Sequence, residues 1–153
     1  MQIWIDGDAC PKIIKEMLFR AAIRTQTCLI AVSNHPISIP PSPFIKRYQV
    51  GAGFDVADKY ILTAMRSGDL VITADIPLAD AVITQGGHAL NPRGELYSAH
   101  NIKQHLAIRN LNDSLRSCNM IAGGPNKISQ KEVRDFANKL DKFLGSALQP
   151  NLD

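Results

Sequence analysis

Acidic residues recur where this chain turns from one regular segment to the next: Asp6 and Asp8 in IWIDGDACP, Asp55 and Asp58 in GFDVAD, and Asp75 and Asp80 in VITADIPLAD. Carboxylates gathered at one edge of a sheet repel one another unless a cation neutralises them, and hard oxygen ligands suit Mg²⁺ or Mn²⁺. Such an ion activates water and stabilises the charge that develops on a phosphodiester. For any single residue of the set, helix capping or a favourable place in the helix dipole is the simpler reading. Carboxylates from three neighbouring loops go beyond what separate caps require.

The elements that must position them follow from periodicity. Residues 2–5 read as a short buried strand, and Pro11 opens a helix to about residue 24, with Ile13, Ile14, Met17, Leu18, Ala21 and Ala22 at helical spacing. Residues 27–33 read as a second strand, followed by a loop containing Pro36, Pro40, Pro41 and Pro43, and 44–50 as a third. A helix is expected from Phe54 to about Arg66, a fourth strand over 70–73, a helix opened by Pro77 and closed at Gly86-Gly87, and a last strand over 88–90. Strands alternating with helices at these lengths predict a three-layer α/β sandwich with a mostly parallel central sheet and right-handed crossovers. Asn101 with Gln104, and Ser129 with Glu132, mark the starts of two further helices, about 102–117 and 130–145, forming an extension packed on one single domain.

In a parallel sheet, ligands bind beyond the carboxyl ends of strands, where the winding direction reverses. The first and fourth strands are neighbours if the chain winds outward both ways from the first, which puts Asp6 and Asp8 beside Asp75. Asp58 borders the apolar stripe of its helix and can lean over that edge. Asp55 lies farther round, and Asp80 falls in the first turns of its helix, where the dipole alone explains it. The expectation is that Asp6, Asp8, Asp58 and Asp75 converge closely enough to share one ion, with Asp55 and Asp80 as further metal-ligand candidates.

Weaker candidates surround this set. Arg93 in Asn91-Pro92-Arg93-Gly94 follows a strand and could meet a phosphate, as could Lys12 and Lys15 early in the first helix, although a solvated turn and a polar face explain them equally well. Cys10 at a helix start reads as a small buried residue rather than an activated thiol. His35, His88, His100 and His105 show no metal-ligand spacing. Basic residues of the last helix, among them Lys131, Arg134, Lys139 and Lys142, form a solvated face or a surface that tracks a phosphate backbone.

Composition sets bounds. With 153 residues, 45% of them hydrophobic, the chain can bury one sizeable core, and its net charge of +3 permits an anionic polymer as partner without demanding one. The three cysteines lack a CxxC pair, so neither a zinc site nor a disulfide framework is signalled and a reducing cytoplasm is the expected home. No signal peptide or membrane-spanning run is legible, so no membrane partner is expected. Oligomeric state is not encoded in any pattern here.

The ordered set WIDGDACP, GFDVADKYI, GDLVITADIPLAD, LNPRGELY and GGP resembles the YaiI/YqxD family of bacterial proteins over nearly the whole chain. That resemblance implies a PIN-like domain, a class whose better-known members are Mg²⁺- or Mn²⁺-dependent ribonucleases. On that match the first acidic position is Asp6 with Asp8 beside it, the middle one Asp58 or Asp55, the next Asp75, and a further one Asp80. The implied function is a divalent-metal-dependent phosphodiesterase or nuclease acting on RNA. Two alternatives stand beside it: a non-catalytic RNA- or protein-binding module, and a small-molecule phosphatase in which Asp6 is the nucleophile and a lysine such as Lys59 its partner.

Overall fold

The computed structural model describes residues 1–51, 53, 56–108 and 127–148. Asp55, Cys118, the GGP turn and the part of the expected 102–117 helix beyond residue 108 lie outside them. Strand β1 (Gln2–Asp6) leads to α1 (Lys12–Thr25), β2 (Cys28–Ser33) and β3 (Ile45–Gln49), then α2 (Val56–Ala64), β4 (Leu70–Ile72), α3 (Ile76–Thr84) and β5 (His88–Leu90). A short β6 (Leu96–Tyr97), helical residues 102–108 (α4) and α5 (Gln130–Leu148) follow.

The six strands form one sheet in the order β3-β2-β1-β4-β5-β6, parallel except for β6. Winding outward from β1 in both directions makes β1 and β4 neighbours, as the sequence pattern requires, and creates the reversal point between them. Alternation along β1 shows why the sheet needs two helical layers. Ile3 and Ile5 pack with Ile14 and Leu18 of α1 and with Phe136, Leu140 and Leu144 of α5, whereas Trp4 faces Ala57 and Ile61 of α2 and Leu78 and Val82 of α3. Full burial of Leu18 stabilises by about 1.5–3 kcal/mol, and truncating it to Ala costs about 2–5 kcal/mol.

Helix α1 buries Ile14, Leu18, Phe19, Ala21 and Ala22, so Phe19 takes the place expected for Ile13, which is 45% exposed. Pro11 sits at the cap rather than inside the first turn, and Gln26 ends the helix in the left-handed region at φ 55°. The capping box of α5 forms as expected: Ser129 N–H donates to Glu132 Oε1 at 2.9 Å and Glu132 N–H to Ser129 Oγ at 3.1 Å. At α4 the box falls one turn earlier than expected. Asn101 N–H donates to Ser98 Oγ, and Ser98 N–H to Asn101 Oδ1.

β5 is not the last strand. The Asn91–Glu95 segment is a hairpin turn that returns the chain antiparallel as β6, with Asn91 N–H donating to Glu95 O at 2.8 Å and Arg93 N–H to Asn91 Oδ1 at 2.7 Å. Gly94 is required twice over: its φ is +98°, and an added Cβ would stand 2.7 Å from Asp135 Cβ and 2.8 Å from Phe136 N on α5.

Candidate active site

Asp6 ends β1 at the reversal point. The N–H groups of Asp8 and Ala9 donate to its Oδ1 at 3.0 and 3.3 Å, and Cys10 N–H closes the turn on Asp6 O at 3.0 Å. Asp75 caps α3, accepting Leu78 N–H on Oδ1 at 3.0 Å, while its own N–H donates to Thr73 Oγ1 at 2.9 Å. Asp58 stands in the first turn of α2. These three carboxylates line one cavity of about 140 Å³, closed by Cys10, Thr73 and Pro92. Among the described residues, no hydrogen bond reaches Oδ2 of Asp6 or of Asp75.

Burial raises the pKa of Asp6, the N–H groups of Asp8 and Ala9 oppose that rise, and the charges of Asp8 and Asp75 add to it. Burial also pushes the Cys10 thiol up to about 12, with Lys15 opposing and Asp6 reinforcing. Cys10 is therefore a protonated wall of the cavity, as its reading as a small buried residue anticipates, and not a nucleophile.

Several expected members stand elsewhere. Asp8 does not line the cavity: its Oδ2 accepts Asn34 N–H at 2.5 Å, and His35 Nδ1 lies 3.3 Å from its Oδ1. The backbone turn over Gly7, whose N–H bonds Val32 O at 2.7 Å, directs Asp8 toward the loop after β2. Asp80 lies within α3 outside the lining. Arg93 is outside the lining and its Nη1 donates to Glu132 Oε1 at 2.8 Å. Ser129 N–H and then Arg93 hold the Glu132 carboxyl below the usual range. Lys12 is exposed and outside the lining, and Lys15 Nζ donates to Gly7 O at 3.0 Å, bracing the loop that carries Asp6.

The donor set matches a hard divalent cation in chemical type, three aspartates lining one small cavity with Asp6 held there against the cost of burial, but not in spacing. The closer convergence expected for a shared ion is not met. Among the described residues, no three His, Cys, Asp or Glu side chains stand close enough as a group to hold one ion. Thr73 is the member that sequence reasoning missed. Its signal was a hydroxyl two residues before Asp75, positioned to accept the Asp75 N–H and fix the cap.

A family model described as "Uncharacterized BCR, YaiI/YqxD family" matches residues 4–146. The UPF0178 protein of Janthinobacterium sp. (strain Marseille) is 56% identical over 144 residues, covering 94% of this chain and 95% of that one. The UPF0178 protein of Pectobacterium carotovorum subsp. carotovorum (strain PC1) is 53% identical over 150 residues, covering 98% and 100%. Among solved structures, Rae1 (YacP) from Bacillus subtilis aligns over 96% of this chain and 99% of its own with a TM-score of 0.42 and 14% identity, a likeness too distant to carry an argument. No helix among the described residues is long and apolar enough to cross a membrane.

Proposed function

The chain belongs to the YaiI/YqxD family, and from that premise we propose that it is a divalent-metal-dependent phosphodiesterase whose substrate is RNA. The observation that carries this reading is the meeting of Asp6, Asp58 and Asp75 in one cavity at the reversal point of the sheet. RNA is the substrate class that the PIN-like resemblance implies.

Asp6, Asp58 and Asp75 would hold Mg²⁺ or Mn²⁺ by drawing closer together than they stand without it, and the ion would supply a water of lowered pKa and neutralise charge on the departing oxygen. The chain's own part is orientation. Asp6 and Asp75 are each fixed through Oδ1 by backbone N–H donors, and among the described residues the second oxygen of each accepts no hydrogen bond. Thr73 holds the Asp75 cap, and Lys15 braces the Gly7 carbonyl beside Asp6. Asp8, tied to Asn34 and His35, positions the loop rather than the substrate.

One observation favours a second reading. Because no three acidic side chains among the described residues are drawn together as a group, a non-catalytic RNA-binding module remains consistent with the same cavity. The phosphatase alternative lacks its lysine, since none lines the cavity among the described residues. The deciding experiment incubates purified protein with single-stranded RNA and Mn²⁺. The nuclease reading expects cleavage that EDTA abolishes and that Asp6→Asn and Asp75→Asn both lose; equal cleavage by the variants points to a contaminant and sinks it.

A further inference from the structure

A second, larger cavity of about 660 Å³ opens where α2 leaves the outer part of the sheet uncovered, and its lining includes Trp4, Lys46, Tyr48, Tyr60 and Arg66. Trp4, Ile30 and Lys46 are partners in one row across β1, β2 and β3, and Tyr48, two residues along β3, lies on the same face. β3 is the edge strand, so the groove is open on that side. The rings of Tyr48 and Tyr60 stack at 4.9 Å between centroids and 26° between planes, and Trp4 meets Tyr60 edge-on at 6.3 Å. One face of Tyr48 is thus held by Tyr60 while 54% of the residue stays exposed, leaving the other face to solvent.

The electrostatics of the groove are positive. Among the described residues neither Lys46 nor the Arg66 guanidinium makes an ion pair. The acidic member of the lining, Asp69, is only 4% exposed and turned inward: Gln2 N–H donates to its Oδ1, and Trp4 Nε1–H and Arg66 N–H to its Oδ2, each at 3.0 Å. A fixed aromatic platform with one open face, flanked by two unpaired cations, matches the chemistry by which sequence-tolerant proteins hold unpaired nucleotides. The position fits as well. Tyr48 pairs with Val32 and Val32 with Asp6, so at about 4.8 Å per strand the platform lies about 10 Å across the sheet from Asp6.

We propose that this groove binds a single-stranded nucleic acid, with a base on the open face of Tyr48 and neighbouring phosphates at Lys46 and Arg66. The proposal rests on the nuclease reading only in taking that strand for the substrate of the acidic cavity, because binding at the groove needs neither metal nor cleavage.

The test is fluorescence anisotropy with a labelled single-stranded RNA of about 12 nucleotides in EDTA. Tyr48→Ala should weaken binding roughly tenfold or more, and Tyr48→Phe should stay within about twofold because the stacking face is retained. Lys46→Ala should reduce the slope of log affinity against log salt by about 0.7. Tyr48 is on the surface, and circular dichroism confirms that each variant is folded. Unchanged binding by Tyr48→Ala, or no RNA binding by the wild-type protein at low salt, overturns the proposal; the second result would leave the groove to a protein segment. RNA binding that depends on Tyr48 without any Mn²⁺-dependent cleavage upholds the groove and removes the nuclease reading. Cleavage that depends on Asp6, with KM and binding indifferent to Tyr48→Ala, does the reverse.

Discussion

Asp6 at the end of β1 and Asp75 just beyond the neighbouring β4 are held in parallel ways: each commits Oδ1 to backbone N–H donors that follow it in the chain, and the charge of Asp75 helps to raise the pKa of Asp6. The same turns that shape the loops thus place two like charges at one cavity. In the metal-free protein this arrangement works against folding, and a bound cation would reverse its sign.

The pH dependence follows from that opposition. Asp6 loses its proton near its ordinary value of 3.8 when unfolded and at a higher pH when folded. Between those two values the folded chain holds a proton that the unfolded chain has lost, so stability falls as pH rises through the window, and the penalty is complete above the folded value. Asp6→Asn keeps an oxygen for the N–H groups of Asp8 and Ala9 but removes the charge. Thermal unfolding in EDTA should show the variant more stable than wild type at pH 7, with the pH-dependent part of that advantage disappearing as pH falls below about 3.8. A constant difference across the range would mean that Asp6 titrates normally.

Arg93 and Gly94 make separable predictions about the hairpin under α5. Arg93→Ala removes the half-buried contact to Glu132 and should lower stability, while leaving Mn²⁺-dependent cleavage at the wild-type rate. Gly94→Ala must fit a side chain at positive φ against the α5 backbone and should cost about 2 kcal/mol or more in urea unfolding. If Arg93→Ala instead abolished cleavage with little change in stability, the arginine would be a phosphate ligand after all.

What was legible in the sequence follows the range of the interactions. Helical spacing and short apolar runs are local, so β1 to β5, the helices between them and the neighbouring of β1 and β4 could be anticipated. That Asp6, Asp58 and Asp75 line one cavity followed from that topology, whereas their spacing within it, wider than a shared ion needs, did not. Asp8 shares a loop with Asp6, yet its direction is set by the Gly7 hydrogen bond to Val32 and by Asn34, neither of which periodicity reveals. Arg93 is captured by a residue 39 positions away, and β6, two residues long, is too short to show alternation. The Tyr48–Tyr60 stack was hidden for the same reason: one ring comes from an edge strand and the other from a helix, and only the packing of α2 on the sheet joins them.

The division between Asp75 in the cavity and Asp8 outside it gives the most direct test of the metal proposal. A cation that binds the folded chain alone stabilises it by RT ln(1 + [M]/Kd), about 2.7 kcal/mol at a hundredfold excess over Kd. Mn²⁺ should therefore raise the Tm of the wild-type protein in a concentration-dependent way. Asp75→Asn keeps the α3 cap, because its amide oxygen can still accept Leu78 N–H, but loses the charge facing the cavity, so it should lose most of that rise. Asp8→Asn disturbs the contacts to Asn34 and His35 and should lower the starting Tm while keeping the Mn²⁺-dependent increment. The informative quantity is the increment in each variant, not its absolute Tm. Equal increments in all three proteins would place the ion away from this cavity, and loss of the increment in Asp8→Asn alone would return Asp8 to the ligand set from which its hydrogen bonds now exclude it.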